Sequence, residues 1–180
     1  MAKEKIETAK IKKPVTENPM RTIKIEKVVL SVGGVAEELE KGVQLLKILT
    51  GREPAKSISR KRIPSLGVRP GLQVGAVVTI RKNPEETLKK MLTPKENTLK
   101  KSQISENNFS FGIAEYIEIP GVEYHREIGI KGLDVTVVMK RTGRRVKLKK
   151  MKRGKFSKRQ NVSKEEIIKF MEDNFKTKFT

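Results

Sequence analysis

Apolar residues recur along this chain in two rhythms, and the rhythm changes where glycine or proline interrupts it. The stretch TIKIEKVVLSV puts Ile23 and Ile25 on one parity and Val28, Leu30 and Val32 on the other. A period of two predicts a strand, and the change of phase near Glu26 predicts a bulge there or a strand with both faces partly covered. Gly33 and Gly34 end it. From Ala36 to Thr50 the period becomes helical, with Leu39, Val43, Leu46 and Leu49 in one stripe and Gly51 as the stop. Glu37, Glu38 and Glu40 suit the positive end of that helix. Strand, Gly-Gly and helix in this order match neither G-x-G-x-x-G nor G-x-x-x-x-G-K-[ST], so the glycines read as a tight turn and not as a nucleotide site.

The same reading continues toward the C-terminus. Val74 to Arg81, VGAVVTIR, is β-branched and predicts a strand. Asn83-Pro84-Glu85-Glu86 predicts a helix start, with Asn83 as the cap, Pro84 in the first turn and Glu86 at the third position. Leu88, Met91 and Leu92 form its apolar face until Pro94, and the polar residues 94–108 predict an irregular connection. Phe109, Phe111 and Ile113 alternate as a strand does, and Tyr116 and Ile117 continue apolar to the Pro120-Gly121 turn. The two phenylalanines read as core more than as RNA stackers, because the strand offers few other large side chains. Leu133, Val135, Val137 and Met139 face inward on the last strand that the pattern predicts, with Asp134, Thr136 and Val138 opposite. Ser163 to Glu166 is a capping box, and Ile167, Ile168, Met171 and Phe175 give the helix over about 163–176 its apolar face. Residues 1–18, rich in Lys and Glu and poor in apolar residues, predict a mobile basic tail ahead of a single domain over 19–180.

Charge changes the picture most. Lys and Arg number 41 against 21 Asp and Glu in 180 residues, a net +20. Such an excess repels itself in a compact chain, and a polyanionic partner relieves it, so nucleic acid is the leading partner class. No apolar run approaches the roughly 20 residues needed to span a membrane, and the basic segments lack an apolar face to lie on one. The N-terminus carries no apolar core of the kind a secretory signal needs, and cysteine is absent, which removes disulfides and thiolate ligands together. A cytoplasmic compartment is the expectation. With Phe 6, Tyr 2 and no Trp, stacking platforms are few, and contacts to phosphate and folded RNA shape are expected in their place.

Two stretches concentrate the cations. In Ala55 to Gln73, AKSISRKRIPSLGVRPGLQ, Lys56, Arg60, Lys61, Arg62 and Arg69 stand with no acid among them, and Pro64, Gly67, Pro70 and Gly71 forbid regular structure through its second half, the first part being open to an extended form. This is a stiff basic loop, either raised toward a polyanion or an ordinary solvated turn. The second is denser. Over 140–159 stand Lys140, Arg141, Arg144, Arg145, Lys147, Lys149, Lys150, Lys152, Arg153, Lys155, Lys158 and Arg159, again with no acid. A chain gains no stability by crowding like charge, which favours RNA contact over a merely solvated face. The capped helix that follows makes this segment a tethered excursion, expected to be largely unordered until RNA binds.

Catalytic chemistry is missing. His125 is the only histidine and has no cysteine or second histidine to share a metal or nucleophile, so a surface or structural role is expected. Glu85-Glu86 and Glu165-Glu166 are explained by helix capping. No cofactor, no metal and no enzymatic activity are expected.

Several segments are nevertheless distinctive: NPMR at 18–21, IEKVVLSVG at 25–33, LLKILTGREP at 45–54, KRIPSLGVRPG at 61–71, VGAVVTIR at 74–81, the run from Asn107 to Met139 and SKEEIIKFM at 163–171. In this order they resemble the universal large-subunit ribosomal protein of the fifth family, in its archaeal form. The resemblance implies an α+β domain whose antiparallel sheet carries helices on one face. It also implies binding to 5S ribosomal RNA in the central protuberance, contacts to the 23S-type RNA and to neighbouring large-subunit proteins, approach to P-site transfer RNA, and a bridge to a protein of the small-subunit head. Carried onto this chain, the tRNA-proximal loop holds Lys61, Arg62, Gly67 and Arg69. The 5S-facing positions are Ser31, Arg52 and Thr79, and Arg21, where tail meets domain, joins them as a phosphate contact. Two positions depart from the family pattern: Ser31 replaces an Asn and Arg52 a Gln, both still able to bond RNA. Arg141, Arg144, Arg145, Lys147, Lys149, Lys150, Lys152, Arg153, Lys155, Lys158 and Arg159 are the candidates for other ribosomal RNA.

Two other classes compete. An RNA-modifying enzyme would need a cofactor fingerprint or a paired acid and base, and neither is visible. A general nucleic-acid packaging protein would bind every polyanion alike, and only comparative binding separates it from a reader of one folded RNA.

Overall fold

A computed structural model describes residues 18–180. The tail expected over residues 1–18 lies outside the described residues, apart from Asn18. The elements run β1 (Ile23–Gly33), α1 (Glu37–Thr50), β2 (Ala55–Ile58), β3 (Gln73–Ile80), α2 (Pro84–Leu92), β4 (Thr98–Leu99), β5 (Ile104–Ser105), β6 (Asn108–Ile113), β7 (Leu133–Arg141), α3 (Arg145–Leu148), α4 (Lys164–Phe175) and β8 (Lys178–Phe179). Six strands form one antiparallel sheet in the order β2-β3-β1-β7-β6-β5, while β4 and β8 pair in parallel beside it.

Strand alternation sends one face of the sheet to the helices. Val28, Leu30 and Val32 of β1, Ala76, Val78 and Ile80 of β3, Val135, Val137 and Met139 of β7, and Phe109, Phe111 and Ile113 of β6 are buried there. Against them lie Leu39, Leu45 and Leu46 of α1, Leu88, Met91 and Leu92 of α2, and Ile167 and Met171 of α4. The fit of α1 is close: a Cβ at Gly42 would stand 2.8 Å from Val32 Cγ1, so only glycine lets the helix settle this near the sheet. Lys131 donates to the Glu38 carbonyl and ties the segment before β7 to the first turn of α1. Burial pulls the Lys131 ammonium below its ordinary pKa, with the Glu38 charge opposing and Lys41 adding to the shift.

The phase change at Glu26 is a bulge, seen as a register shift between Ile25 and Lys27 against β7. Both phenylalanines of β6 are core residues, and Ser163 and Glu166 form the reciprocal box that opens α4.

Three local expectations differ from the structure. Asn83 does not cap α2 with its side chain. It sits at φ 47°, ψ 52°, in the left-handed region that Asn tolerates better than most residues, and turns the chain from β3 into the helix through its backbone. Residues 94–108 are not wholly irregular, because β4 finds its partner in the C-terminal β8 and β5 pairs with β6. Tyr116 does not prolong β6. It lies in a 3-10 turn, fully buried, and its hydroxyl accepts the His125 N–H at 2.9 Å, pinning the long connection to β7.

Candidate RNA interface

The helices leave the second sheet face uncovered, and its composition is unusual. The central row reads Ala55, Val77, Ser31, Asp134 and Gly112 across five strands, and the next reads Thr79, Val29, Thr136 and Ser110. Short side chains dominate, so the surface is smooth enough for a broad partner to approach the strands closely. Its hydroxyls can donate and accept in any orientation.

Two of the predicted positions lie on this face and a third at its edge. Ser31 lies in the central row and Thr79 one row away on the adjacent β3. Arg52 reaches the same place by a different route: Gly51 takes φ +65° at the end of α1, its N–H returns to the Lys47 carbonyl, and the chain reverses toward β3. The outermost residue of β2 paired with β3 on this side is Ala55, opposite Val77, which leaves the β3 edge beyond it without a strand partner. Arg52 Nη1 donates to the Thr79 carbonyl at 3.3 Å and satisfies that edge, with the rest of the guanidinium exposed. Arg21 is not part of this set. It sits on the turn Pro19–Arg21 before the far end of β1, roughly 25 Å from Ser31 at the usual strand rise, and borders an open cleft of ≈ 1240 Å³ with Arg141, Arg159 and Lys169.

The loop between β2 and β3 is folded throughout. Ser59 and Leu72 are joined by the Ser59 N–H donating to the Leu72 carbonyl at 2.8 Å, and Ile63 and Val68 exchange two backbone bonds farther out. Gly67 takes φ +65° to close the 3-10 turn Pro64–Leu66. Val68 is buried and bonded to Ile63 within the loop, while Lys61, Arg62, Gly67 and Arg69 are all exposed on its outer part. Leu66 stands at the tip, 66% exposed, so the loop presents an apolar end between cations.

The basic segment divides into two groups that its sequence does not distinguish. Arg141 and Arg144 already have protein partners. Arg141 Nη2 bonds the Glu166 carboxylate and Nη1 the Arg159 carbonyl, with the side chain 11% exposed. Arg144 Nη1 donates to the Met139 carbonyl at 3.0 Å and pairs with Glu26 at 3.6 Å. These two arginines hold the base of the excursion. Arg145, Lys147, Lys149, Lys150, Lys152, Arg153, Lys155, Lys158 and Arg159 are exposed, around the single turn of α3. Asn107 fixes the return: its backbone N–H donates to the Val162 carbonyl, and its Oδ1 accepts the Val162 N–H at 2.9 Å. Burial alone would raise the Glu166 pKa, but the Ser163 N–H and the Arg141 guanidinium outweigh it and hold the carboxyl below its ordinary value. The signal for this pairing was present in the two acids, Glu26 at the bulge and Glu166 in the capping box. Nothing local links either acid to a particular arginine.

Among the described residues no cluster of His, Asp and Glu could hold a metal, and no helix is long and apolar enough to cross a membrane. The His125 side chain is exposed. What the surface offers is hydrogen bonding on a flat face, one raised loop and one dense cationic lobe.

Two family models match the chain: one described as ribosomal protein L5 over residues 18–69, the other as the C-terminus of the same ribosomal family over residues 73–170. Among curated proteins, the large ribosomal subunit protein uL5 of Sulfurisphaera tokodaii is 44% identical over 165 residues, covering 89% of this chain and 93% of that protein. The uL5 of Nanoarchaeum equitans is 42% identical over 161 residues, covering 87% and 95%. That of Archaeoglobus fulgidus is 40% identical over 164 residues, covering 89% and 92%.

Proposed function

Because this chain belongs to the L5 family of large-subunit ribosomal proteins, we propose that its helix-free sheet face binds 5S ribosomal RNA and anchors it in the central protuberance. The coarser function needs no proposal: the protein is a structural constituent of the large ribosomal subunit, an archaeal-type member of the family, cytoplasmic and not an enzyme. The observation that carries the finer reading is that Ser31 and Thr79 share the uncovered face while Arg52, from a third segment, is held at its β3 edge against Thr79. Hydroxyls fixed on a rigid sheet can read the shape and sugar edges of folded RNA, and the arginine can hold a phosphate beside them.

The rest of the surface supports further parts of the same reading. The nine exposed cations from Arg145 to Arg159 neutralise phosphates of the 23S-type RNA. The loop from Lys61 to Gly71 approaches P-site transfer RNA, its folded hairpin holding Lys61, Arg62 and Arg69 away from the body. A contact with a small-subunit head protein completes the set of partners.

Equilibrium binding tests the central point. The protein is titrated with an archaeal 5S ribosomal RNA, with transfer RNA and with duplex DNA across a salt series, beside a variant carrying Ser31→Ala, Arg52→Ala and Thr79→Ala. The 5S RNA is expected to win by a margin that persists at high salt and that the variant loses. Equal binding of all three ligands with one steep salt slope would reduce the protein to a general polyanion binder.

A further inference from the structure

The register rows that cross the open face from β3 to β6 hold one acid, Asp134. It is exposed in a protein of net charge +20, and no ion pair engages it among the described residues. A carboxylate on a surface that meets RNA repels phosphate, so it is tolerated there only if it faces something that donates. The geometry gives it room to do so. Asp134 lies opposite Gly112, and a Cβ at that glycine would stand 3.2 Å from Asp134 Oδ1, so the missing side chain leaves space for the carboxylate beside β6. Around it is a polar hollow of ≈ 480 Å³ whose walls include Ser31, Ser110, Thr136 and Gln103. The Gln103 carbonyl already accepts the Lys100 N–H at 3.2 Å, leaving the amide NH2 as its free donor.

Resting on the reading that this face binds 5S RNA, we propose that Asp134 is a specificity-determining residue that accepts the N1–H and N2–H of one unpaired guanine, with Gln103 donating to O6. Two carboxylate oxygens match the two adjacent donors on the guanine Watson–Crick edge. Adenine and cytosine each present one exocyclic amino group on that edge and a ring acceptor beside it, which the carboxylate repels. Sequence-specific RNA readers generally use such splayed bases and their Watson–Crick edges.

The test uses full-length protein, wild type and Asp134→Asn, on an archaeal 5S ribosomal RNA. Guanine accessibility is probed with kethoxal, which adds across N1 and N2. The wild type should protect one guanine that becomes reactive with the variant, and affinity should fall roughly tenfold, within the range of a lost bidentate base contact. Replacing that guanine by inosine, which lacks the 2-amino group, should weaken the wild type and leave the variant unchanged. If Asp134→Asn binds as well or better with every protection intact, the carboxylate is merely a repulsive surface charge and the proposal falls while 5S binding stands. If the wild type shows no preference for 5S RNA over transfer RNA, the underlying reading fails and takes the proposal with it.

Discussion

The open sheet face and the lobe from Arg145 to Arg159 are both exposed to solvent, and they are built on opposite plans. The face is nearly free of cations in its central rows, its small groups held by the strand pairs that set Ser31 beside Asp134 and Thr79 beside Val29. The lobe carries nine cations on one helical turn and irregular chain, anchored mainly at its two ends. Counterion release rewards the lobe for every phosphate it meets, whatever the sequence, whereas discrimination needs groups that hold still. Affinity and specificity are thereby assigned to different parts of one small domain.

The largest effect should come from removing the lobe's charge. Replacing the nine exposed cations by glutamine should cost at least a hundredfold in affinity for large-subunit 23S-type RNA at moderate salt, with each lost phosphate contact lowering the log-log salt slope by about 0.7 to 0.9. The preference for 5S RNA over transfer RNA should survive. Filter binding across a salt series reads both quantities, and a lost preference would end this division of labour. The sheet variant with Ser31, Arg52 and Thr79 replaced by alanine should do the reverse, losing roughly tenfold or more in preference. Its salt slope should change by no more than the single charge at Arg52.

Next in size is an effect on the anchoring of the lobe. Glu166→Gln weakens both the capping box and the partner of Arg141, and should lower stability by about 1 to 2 kcal/mol in urea unfolding at neutral pH. The sign of its pH dependence follows from the depressed carboxyl. A group held below its ordinary pKa stabilises the fold fully above that ordinary value, and the contribution disappears as pH falls through the folded value. Wild type and variant should therefore converge in acid, below the ordinary carboxylate pKa of about 4.5. A gap that persists unchanged at low pH would mean that the cost lies in packing. The smallest effect is kinetic: limited trypsin digestion of the free protein should cut within 145–158 before any site in the sheet, and 5S plus large-subunit RNA should slow that cut while changing cleavage in the sheet little. Protease resistance throughout the free lobe would show that it is ordered without RNA.

Much of this architecture was legible in sequence because it rests on local periodicity. The alternation in β1, β6 and β7, the stripe of α1 and the capping box of α4 each follow from side-chain spacing and from backbone groups that need partners nearby. The bulge near Glu26 was legible for the same reason, since one extra residue flips the parity of all that follow. Net charge alone excluded little but pointed to RNA. Asn83 misled, because a residue that favours caps also tolerates the left-handed turn, and the choice depended on where β3 had to send the chain.

Other features were decided only by the tertiary fold. That β4 would pair with β8, that Arg52 would close the β3 edge at Thr79, and that Arg21 would sit far from both depend on contacts between distant segments. The division of the basic run was decided in the same way, when Glu26 and Glu166 came within reach of Arg144 and Arg141. Identical charges in a sequence carry no label for the partner each will meet. Periodicity fixes which way a side chain faces, because the backbone repeats locally. What it faces is set by the packing of the whole chain.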